Sequence, residues 1–336
     1  RAMSHSLIVL PDDTALPIVA AIDAAHRSLR VKMFLFSDPT LLAALVRARK
    51  RGVAVRVMLN PARRDGEQEN VATRQALAEA KVEVADSNPA FDLTHEKSMV
   101  VDDHTAMVKS LNWETRNLTE TRDYAVVTRV AAEVAEIAAG FDADWHRKPF
   151  DPGHSSKLVW CSVNGRERIA HFIDNAKDTL WVQNERYQDT VIIERLVRAV
   201  GRGVKLHVLA RAPHTLKKDK LIEGVGGLRI LQDVGAKVHK PKGLRLHAKM
   251  LLADGARAIV GSINLTPGSF DARRELAIET DDPIVIKRLH SVAHKDWKSS
   301  KRLDLSDEGL LAHLEKRHLD GADKLVLDAG THPDDD

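Results

Sequence analysis

His95 and Lys97 stand two residues apart, and so do His247 and Lys249. In an extended strand, residues at that spacing project from one face, so each pair would set an imidazole beside a cation. An imidazole can add to phosphorus or move a proton, and the neighbouring ammonium supplies charge and hydrogen bonds to an anion. Ser110 and Asn112 share the spacing, as do Ser262 and Asn264, so their side chains are expected to converge on the same oxyanion. Asp123 and Glu275 each follow their own histidine by 28 residues. A carboxylate there can accept a hydrogen bond from one imidazole nitrogen, fixing the tautomer and making the other nitrogen a better nucleophile.

Taken singly, these features carry little. A His-x-Lys pair on a strand is more often a surface pair, and Ser-x-Asn is a turn signal just as often. Repetition changes their weight. The run His95-Glu96-Lys97-Ser98-Met99-Val100-Val101-Asp102 returns as His247-Ala248-Lys249-Met250-Leu251-Leu252-Ala253-Asp254, an offset of 152 residues. The same offset joins Ser110, Asn112, Asp123 and Asp144-Trp145 to Ser262, Asn264, Glu275 and Asp296-Trp297. Upstream it falls to 151, as in Ile22-Asp23 with Ile173-Asp174, so a single-residue indel separates two collinear copies. Decoration does not recur in register, whereas a duplicated site does. Asp102 and Asp254 fall at a strand turn and are read as structural caps.

Both copies alternate helical apolar spacing with buried strand runs. In the first, helices are expected at Leu16–Ala25, Leu41–Lys50, Val71–Ala80 and Ala131–Trp145. Strands are expected at Val31–Phe36, Val53–Leu59, Val82–Val84, Lys97–Val101, Thr105–Val108 and Tyr124–Thr128. The fold class is α/β: two repeat-related sandwich halves with mixed sheets, a pseudo-twofold, and an active site at their interface. The halves are placed at 5–150 and 157–300, followed by a helical and acidic tail at 301–336. Hydrophobic residues at 43% and charged residues at 29% describe a core-forming chain. A single cysteine, Cys161, excludes an intramolecular disulfide framework and a multi-cysteine zinc cluster. No apolar run reaches the ~18 residues of a spanning helix.

Two copies of His-x-Lys-x4-Asp followed by Gly-Ser-x-Asn resemble the phospholipase D superfamily over nearly the whole chain. The second copy fits throughout, with Gly261-Ser262-Ile263-Asn264; the first has Lys109 in the glycine position and Asp123 where glutamate is commoner. Lys109 either turns away from the site or adds a cation to it. The resemblance implies a metal-independent, cofactor-free phosphodiesterase working through a phosphohistidine. It implies His95 as nucleophile and His247 as acid and base, with Lys97, Lys249, Asn112, Asn264, Ser110 and Ser262 on the phosphate oxygens.

Lys plus Arg (51) nearly balances Asp plus Glu (48), yet residues 205–249 hold eleven basic residues against three acidic ones. That stretch includes Lys217-Lys218-Asp219-Lys220 and the run from His239 to Arg245, with Arg63-Arg64 in the equivalent loop of the first copy. A basic rim attracts anionic phospholipid headgroups or a nucleic-acid backbone. No aromatic residue interleaves the run, so single-strand stacking platforms are not evident. Gly224-Val225-Gly226-Gly227 is expected to be flexible, as a lid or a membrane-contacting loop. The favoured reading is phospholipid hydrolysis or phosphatidyl transfer by a monomer that is cytoplasmic or peripheral to a membrane. A DNA or RNA phosphodiesterase is the alternative.

Overall fold

The computed structural model describes residues 4–61, 70–152, 155, 157–212 and 218–319, the last stretch with side chains from 224 to 316. Arg63, Arg64, Lys217 and the acidic tail lie outside the described residues, as do the side chains of Lys218, Asp219 and Lys220.

The first copy runs β1 (His5–Leu10), α1 (Leu16–Asp23), β2 (Ser28–Met33), α2 (Pro39–Lys50), β3 (Ala54–Leu59), α3 (Val71–Glu79) and β4 (Glu83–Asp86). It continues with β5 (Leu93–Thr94), β6 (Ser98–Val101), β7 (Thr105–Lys109), α4 (Thr115–Thr119), β8 (Thr121–Thr128) and α5 (Ala131–Trp145). The second repeats this as β9 (Leu158–Cys161), α6 (Gly165–Asp174), β10 (Thr179–Gln183), α7 (Thr190–Gly201), β11 (Lys205–Leu209), α8 (Lys218–Asp233) and β12 (Lys237–Lys240). Then come β13 (Arg245–Leu246), β14 (Met250–Ala253), β15 (Arg257–Gly261), α9 (Pro267–Asp271), β16 (Arg273–Thr280) and α10 (Pro283–Lys298). A short strand β17 (Lys301–Arg302) and a helix α11 (Asp307–Leu319) follow.

The sheets are mixed and share one strand order. The first is β1-β8-β7-β6-β2-β3-β4, with β2, β3 and β4 parallel and the other pairings antiparallel. The second is β9-β16-β15-β14-β10-β11-β12, with β17 added at its edge. Alternation along β2 explains how each sheet serves two cores. Leu29, Val31 and Met33 pack in a core with α1 and α2, while Lys32 projects to the other face. Those opposite faces meet in a core common to both copies, including Val100, Val108 and Val126 from one and Leu252, Val260 and Leu276 from the other. The helices after β2 and β10 start alike, with the Asp38 carboxylate accepting from Leu41 N and Asp189 from Ile192 N.

Two short strands are exchanged. β5 adds in parallel to β16 of the second sheet, and β13 adds in parallel to β8 of the first. The exchange delivers His95 to the second copy, where its backbone N–H donates to Arg274 O at 3.0 Å. It delivers His247 to the first, donating to Arg122 O at 3.3 Å. Each exchange is riveted by a buried ion pair reaching into the opposite long helix. Arg274 Nε lies 3.0 Å from Asp144, and Arg122 Nε lies 2.9 Å from Asp296. Asp144 also binds Lys32 at 2.8 Å. Burial pushes the Asp144 carboxyl up, but Lys32 and Arg274 outweigh it and hold the group well below the usual carboxylate range.

The copies differ in one layer beneath the long helices. In the first, Arg30 and Arg56 hold Asp142 at 3.0 and 2.9 Å. The repeat-equivalent residues of the second are Trp181, His207 and His294: Trp181 stacks on His207 with ring centroids 3.9 Å apart and approaches His294 at 4.3 Å. His239 stacks on Trp297 at 3.8 Å, whereas His104 is exposed. The expected lid at Gly224–Gly227 is helical, within α8. Gly227 permits close approach there, since a Cβ would fall 2.1 Å from Tyr187 O.

Removing one member of a buried ion pair leaves its partners charged and unpaired. Asp144→Ala is expected to cost ~3–5 kcal/mol, read as a lower midpoint in urea unfolding. An unchanged midpoint would show that Lys32 and Arg274 find other partners.

Candidate active site

The strand exchange crosses the histidine–carboxylate pairs. His95 Nδ1 lies 2.5 Å from Glu275 Oε1, a carboxylate of the second copy. His247 Nδ1 lies 2.8 Å from Asp123 Oδ1, a carboxylate of the first. The equal spacing in sequence therefore relates each carboxylate to one histidine and supplies it to the other.

The tautomer of His95 follows from a second neighbour. Its Nδ1 is also 3.1 Å from Ser262 O, and a carbonyl oxygen only accepts. Nδ1 therefore carries the proton, donating to Glu275 and Ser262, and Nε2 keeps its lone pair. Nε2 is buried with no hydrogen-bond partner. Burial, reinforced by Lys97, Arg273 and Lys249, pushes the imidazole well below its usual range and keeps it neutral. Burial also pushes the Glu275 carboxyl up, to about 7, against the pull of Arg273. The Phe34 ring meets His95 edge-on at 5.2 Å and completes an apolar wall.

His247 is set differently. Asp123 accepts not only from its Nδ1 but also from the Ser110 and Thr121 hydroxyls, each at 2.6 Å. The other nitrogen, Nε2, lies 3.2 Å from Lys249 Nζ, which is itself 3.0 Å from Glu185. Glu185 also binds Arg211 at 2.8 Å. Although burial opposes its ionisation, Lys249, His247 and Arg211 hold the Glu185 carboxyl down to about 2. His95 is 0% exposed and His247 4%. A cleft of about 20 Å³, the space of about one water, opens beside His247 between Arg116, Arg211 and Arg245.

The other expected residues fall as follows. Lys97 is buried, donates to His95 O at 2.9 Å and lies 5.6 Å from the Phe34 ring centroid. Asn112 and Asn264 are wholly buried. Ser110 and Ser262, expected on phosphate oxygens, turn to the neighbouring strand instead. The Ser110 hydroxyl donates to Asp123, and that of Ser262 lies 3.2 Å from both Leu276 O and Leu276 N. A hydroxyl at the strand end meets this backbone before it can reach a ligand. Asp102 and Asp254 are structural, but as staples to a distant loop and not as caps of their own turn. Asp102 accepts from the backbone N–H groups of His26, Arg27 and Ser28, and Asp254 from those of Lys177, Asp178 and Thr179. Lys109 turns away from the site, its Nζ 5.0 Å from the Trp113 ring centroid. Burial pushes it down to about 7, opposed by Glu96. Among the described residues, no group of three or more His, Cys, Asp or Glu side chains is arranged to hold a metal ion.

The sequence model of the family described as "Cardiolipin synthase, PLD-like domain" matches residues 18–145 and again 169–297. The chain belongs to the phospholipase D superfamily. Cardiolipin synthase A of Edwardsiella ictaluri is 23% identical over 82% of this chain and 65% of its own length. Polyphosphate kinase of Vibrio parahaemolyticus is 23% identical over 86% of this chain and 43% of its own. The chain thus spans between about two-fifths and two-thirds of these relatives. Among solved structures, phosphatidylserine synthase of Haemophilus influenzae superposes with a TM-score of 0.73 at 12% identity, over 97% of this chain and 95% of its own. That likeness is one of fold.

Two substitutions separate structure from chemistry. Asp102→Ala strips three backbone donors of their acceptor and is expected to lower stability by ~2–4 kcal/mol, with kcat of the folded fraction within about twofold of the parent. A kcat loss beyond tenfold at full folding would place Asp102 in the reaction. Lys109→Met is expected to stabilise. The folded-state pKa of Lys109 lies below its unfolded value, so its burial penalty appears as pH falls from about 10.5 to about 7 and is constant below that. The stability difference between variant and parent should therefore be largest below pH 7 and vanish toward pH 10.5; a pH-independent difference would contradict this.

Proposed function

We propose that the chain is a phosphodiester-cleaving enzyme that works through a phosphohistidine on His95 and acts on phospholipid, by hydrolysis or phosphatidyl transfer. The observation that carries this reading is the bare Nε2 of His95, whose other nitrogen is committed to Glu275 and Ser262 O. In the first step Nε2 attacks phosphorus, a P–N bond forms, and the bond to the leaving oxygen breaks. That oxygen takes a proton from Nε2 of His247, with Asp123 behind the ring to stabilise the imidazolium beforehand. In the second step water or an alcohol attacks phosphorus, the P–N bond breaks, and the attacking oxygen passes its proton to His247. Lys97, Lys249, Asn112 and Asn264 face the growing charge on the nonbridging oxygens, the kind of fixed electrostatic stabilisation that often dominates catalysis.

Cardiolipin synthase A among the similar proteins supports a phospholipid substrate. Among the described residues, the cleft beside His247 has no Phe, Tyr or Trp in its lining, so base stacking does not favour a nucleic acid. Among the described residues no helix is long and apolar enough to cross a membrane; lipid would be met at a bilayer surface, by a monomer holding both halves of the site. No metal takes part in the scheme.

His95→Ala is expected to abolish turnover while leaving unfolding midpoints within about 1 kcal/mol of the parent. His247→Ala, given a phosphodiester with an activated leaving group, should accumulate acid-labile, base-stable phosphoprotein, because the first step no longer needs an acid and the second still needs a base. Headgroup release should persist in a chelator and divert to the phosphatidyl alcohol when ethanol is added. Chelator-resistant plasmid nicking without lipid turnover would overturn the lipid reading; absence of phosphoprotein would overturn the mechanism.

A further inference from the structure

Lys249 stands where a second proton must go. Its Nζ lies 3.2 Å from Nε2 of His247, and an ammonium only donates. Nε2 therefore accepts there, and the ring carries its proton on Nδ1, toward Asp123 at 2.8 Å. To act as an acid, His247 must also take a proton on Nε2. That proton displaces the Lys249 hydrogen bond and sets two like charges side by side, which disfavours the imidazolium. In the first copy Lys97 Nζ donates instead to His95 O at 2.9 Å, and Nε2 of His95 is bare. One further position separates the two pairs. Where the first copy has Phe34, the offset of 151 places Glu185 in the second. The Phe34 ring is 5.2 Å from the His95 ring and 5.6 Å from Lys97 Nζ, centroid distances in both cases. Glu185 is 4% exposed, holds Lys249 at 3.0 Å and acts electrostatically on His247. One His–Lys pair thus has an aromatic ring for a neighbour, and the other an ionised carboxylate.

We propose that Glu185 is a positioning residue that makes His247 the proton carrier of the site: it holds Lys249 and offsets its charge, so that an imidazolium can form beside it. This deepens the function proposed above and rests on its division of roles between His95 and His247. A proton from solvent adds to Nε2 of His247. The Lys249 N–H released from Nε2 turns to a nonbridging oxygen of the phosphodiester, while Glu185 keeps its own hold on Nζ. An ammonium has three N–H groups, so these contacts do not compete. Nε2 then gives its proton to the leaving oxygen as the bond from that oxygen to phosphorus breaks, and the ring is neutral again. The remaining charged groups around His247 are Asp123 of β8, behind Nδ1, and Arg116, Arg211 and Arg245, which line the cleft. The His95 ring is near enough for the two imidazoles to act on each other. Asp123 has a counterpart at His95, namely Glu275, and Glu185 has none. Burial, Lys97, Arg273 and Lys249 all oppose a charge on the His95 ring.

The test uses the full chain and mixed micelles of two phosphodiesters that share one diacylglycerol part, phosphatidylglycerol and phosphatidyl-p-nitrophenol. Glycerol needs a proton in order to leave, and p-nitrophenolate does not. Glu185→Gln keeps the shape of the side chain and removes its charge. For glycerol release, the alkaline limb of its kcat profile is expected about one pH unit lower than in the parent, an about tenfold loss along that limb. Release of p-nitrophenol should stay within about threefold of the parent. A merely structural role would slow both substrates alike, through a misplaced Lys249. In a Lys249→Met background the displacement caused by Glu185→Gln should shrink to less than about half, because the ammonium it offsets is gone. Equal losses on the two substrates, an unmoved limb, or an undiminished displacement in the Lys249→Met background would each overturn the proposal. Should Glu185→Gln not fold, Glu185→Asp, which draws the charge back from Lys249, is expected to move the limb the same way by less; an unmoved limb overturns the proposal there too. Turnover of neither lipid would tell against the function proposed above, and the ring-nitrogen NMR signals of His247 then decide on Glu185 alone. They are expected to change at lower pH in Glu185→Gln than in the parent, and a change at the same pH in both would overturn its role.

Discussion

The candidate site depends on two hydrogen bonds that cross from one copy to the other. A buried imidazole needs an acceptor for its N–H, because an unpaired donor in a dry interior costs more than a satisfied one returns. Here the acceptor for His95 is Glu275 and that for His247 is Asp123. Neither copy can satisfy its own histidine. The exchanged strands, the Arg122–Asp296 and Arg274–Asp144 pairs and the common core between the sheets all serve to hold these two contacts in register.

The duplication produced symmetry of scaffold without symmetry of chemistry. The sheets share their strand order, the helices after β2 and β10 share an aspartate cap, and Asp102 and Asp254 staple equivalent loops. Departures from symmetry gather where a side chain faces the site or the layer behind it. Glu185 with Lys249 stands where Phe34 meets His95, and a Trp–His stack stands where arginines hold Asp142. Burial, reinforced by Lys97, Arg273 and Lys249, keeps the His95 imidazole neutral, while His247 stands beside the charged pair of Lys249 and Glu185. Two histidines from one ancestral motif thereby acquire different environments.

Much of this was legible in the residues. The long elements carry strong periodicity, so α2, α5, β3 and β7 fall within a residue or two of their sequence-based bounds. The polar residues of the site repeat in register, which no packing requirement imposes, so the duplicated motif pointed to its chemistry. What sequence could not carry was pairing in space. β5 and β13 are two residues long and leave no periodic trace, so the crossing of the carboxylates was hidden. Arg122 and Arg274 each precede the histidine-binding carboxylate by one residue and recur at the repeat offset, as Asp144 and Asp296 do. That recurrence was the available signal for the ion pairs. Lys109 and the two serines show the opposite limit: a motif position names a residue type, but only the surrounding backbone decides which way its side chain turns.

The crossing also has a meaning in time. The two contacts that complete the site span 180 and 124 residues of sequence, and closing such distant loops comes late and slowly in folding. While the chain is still being synthesised, and for as long as residue 275 has not joined its sheet, His95 has no carboxylate to orient it. A fragment containing the whole first copy would hold His95 without Glu275, and an Asp123 with no ring to support. The complete arrangement is therefore withheld from the nascent polypeptide and arrives in one piece with the finished fold.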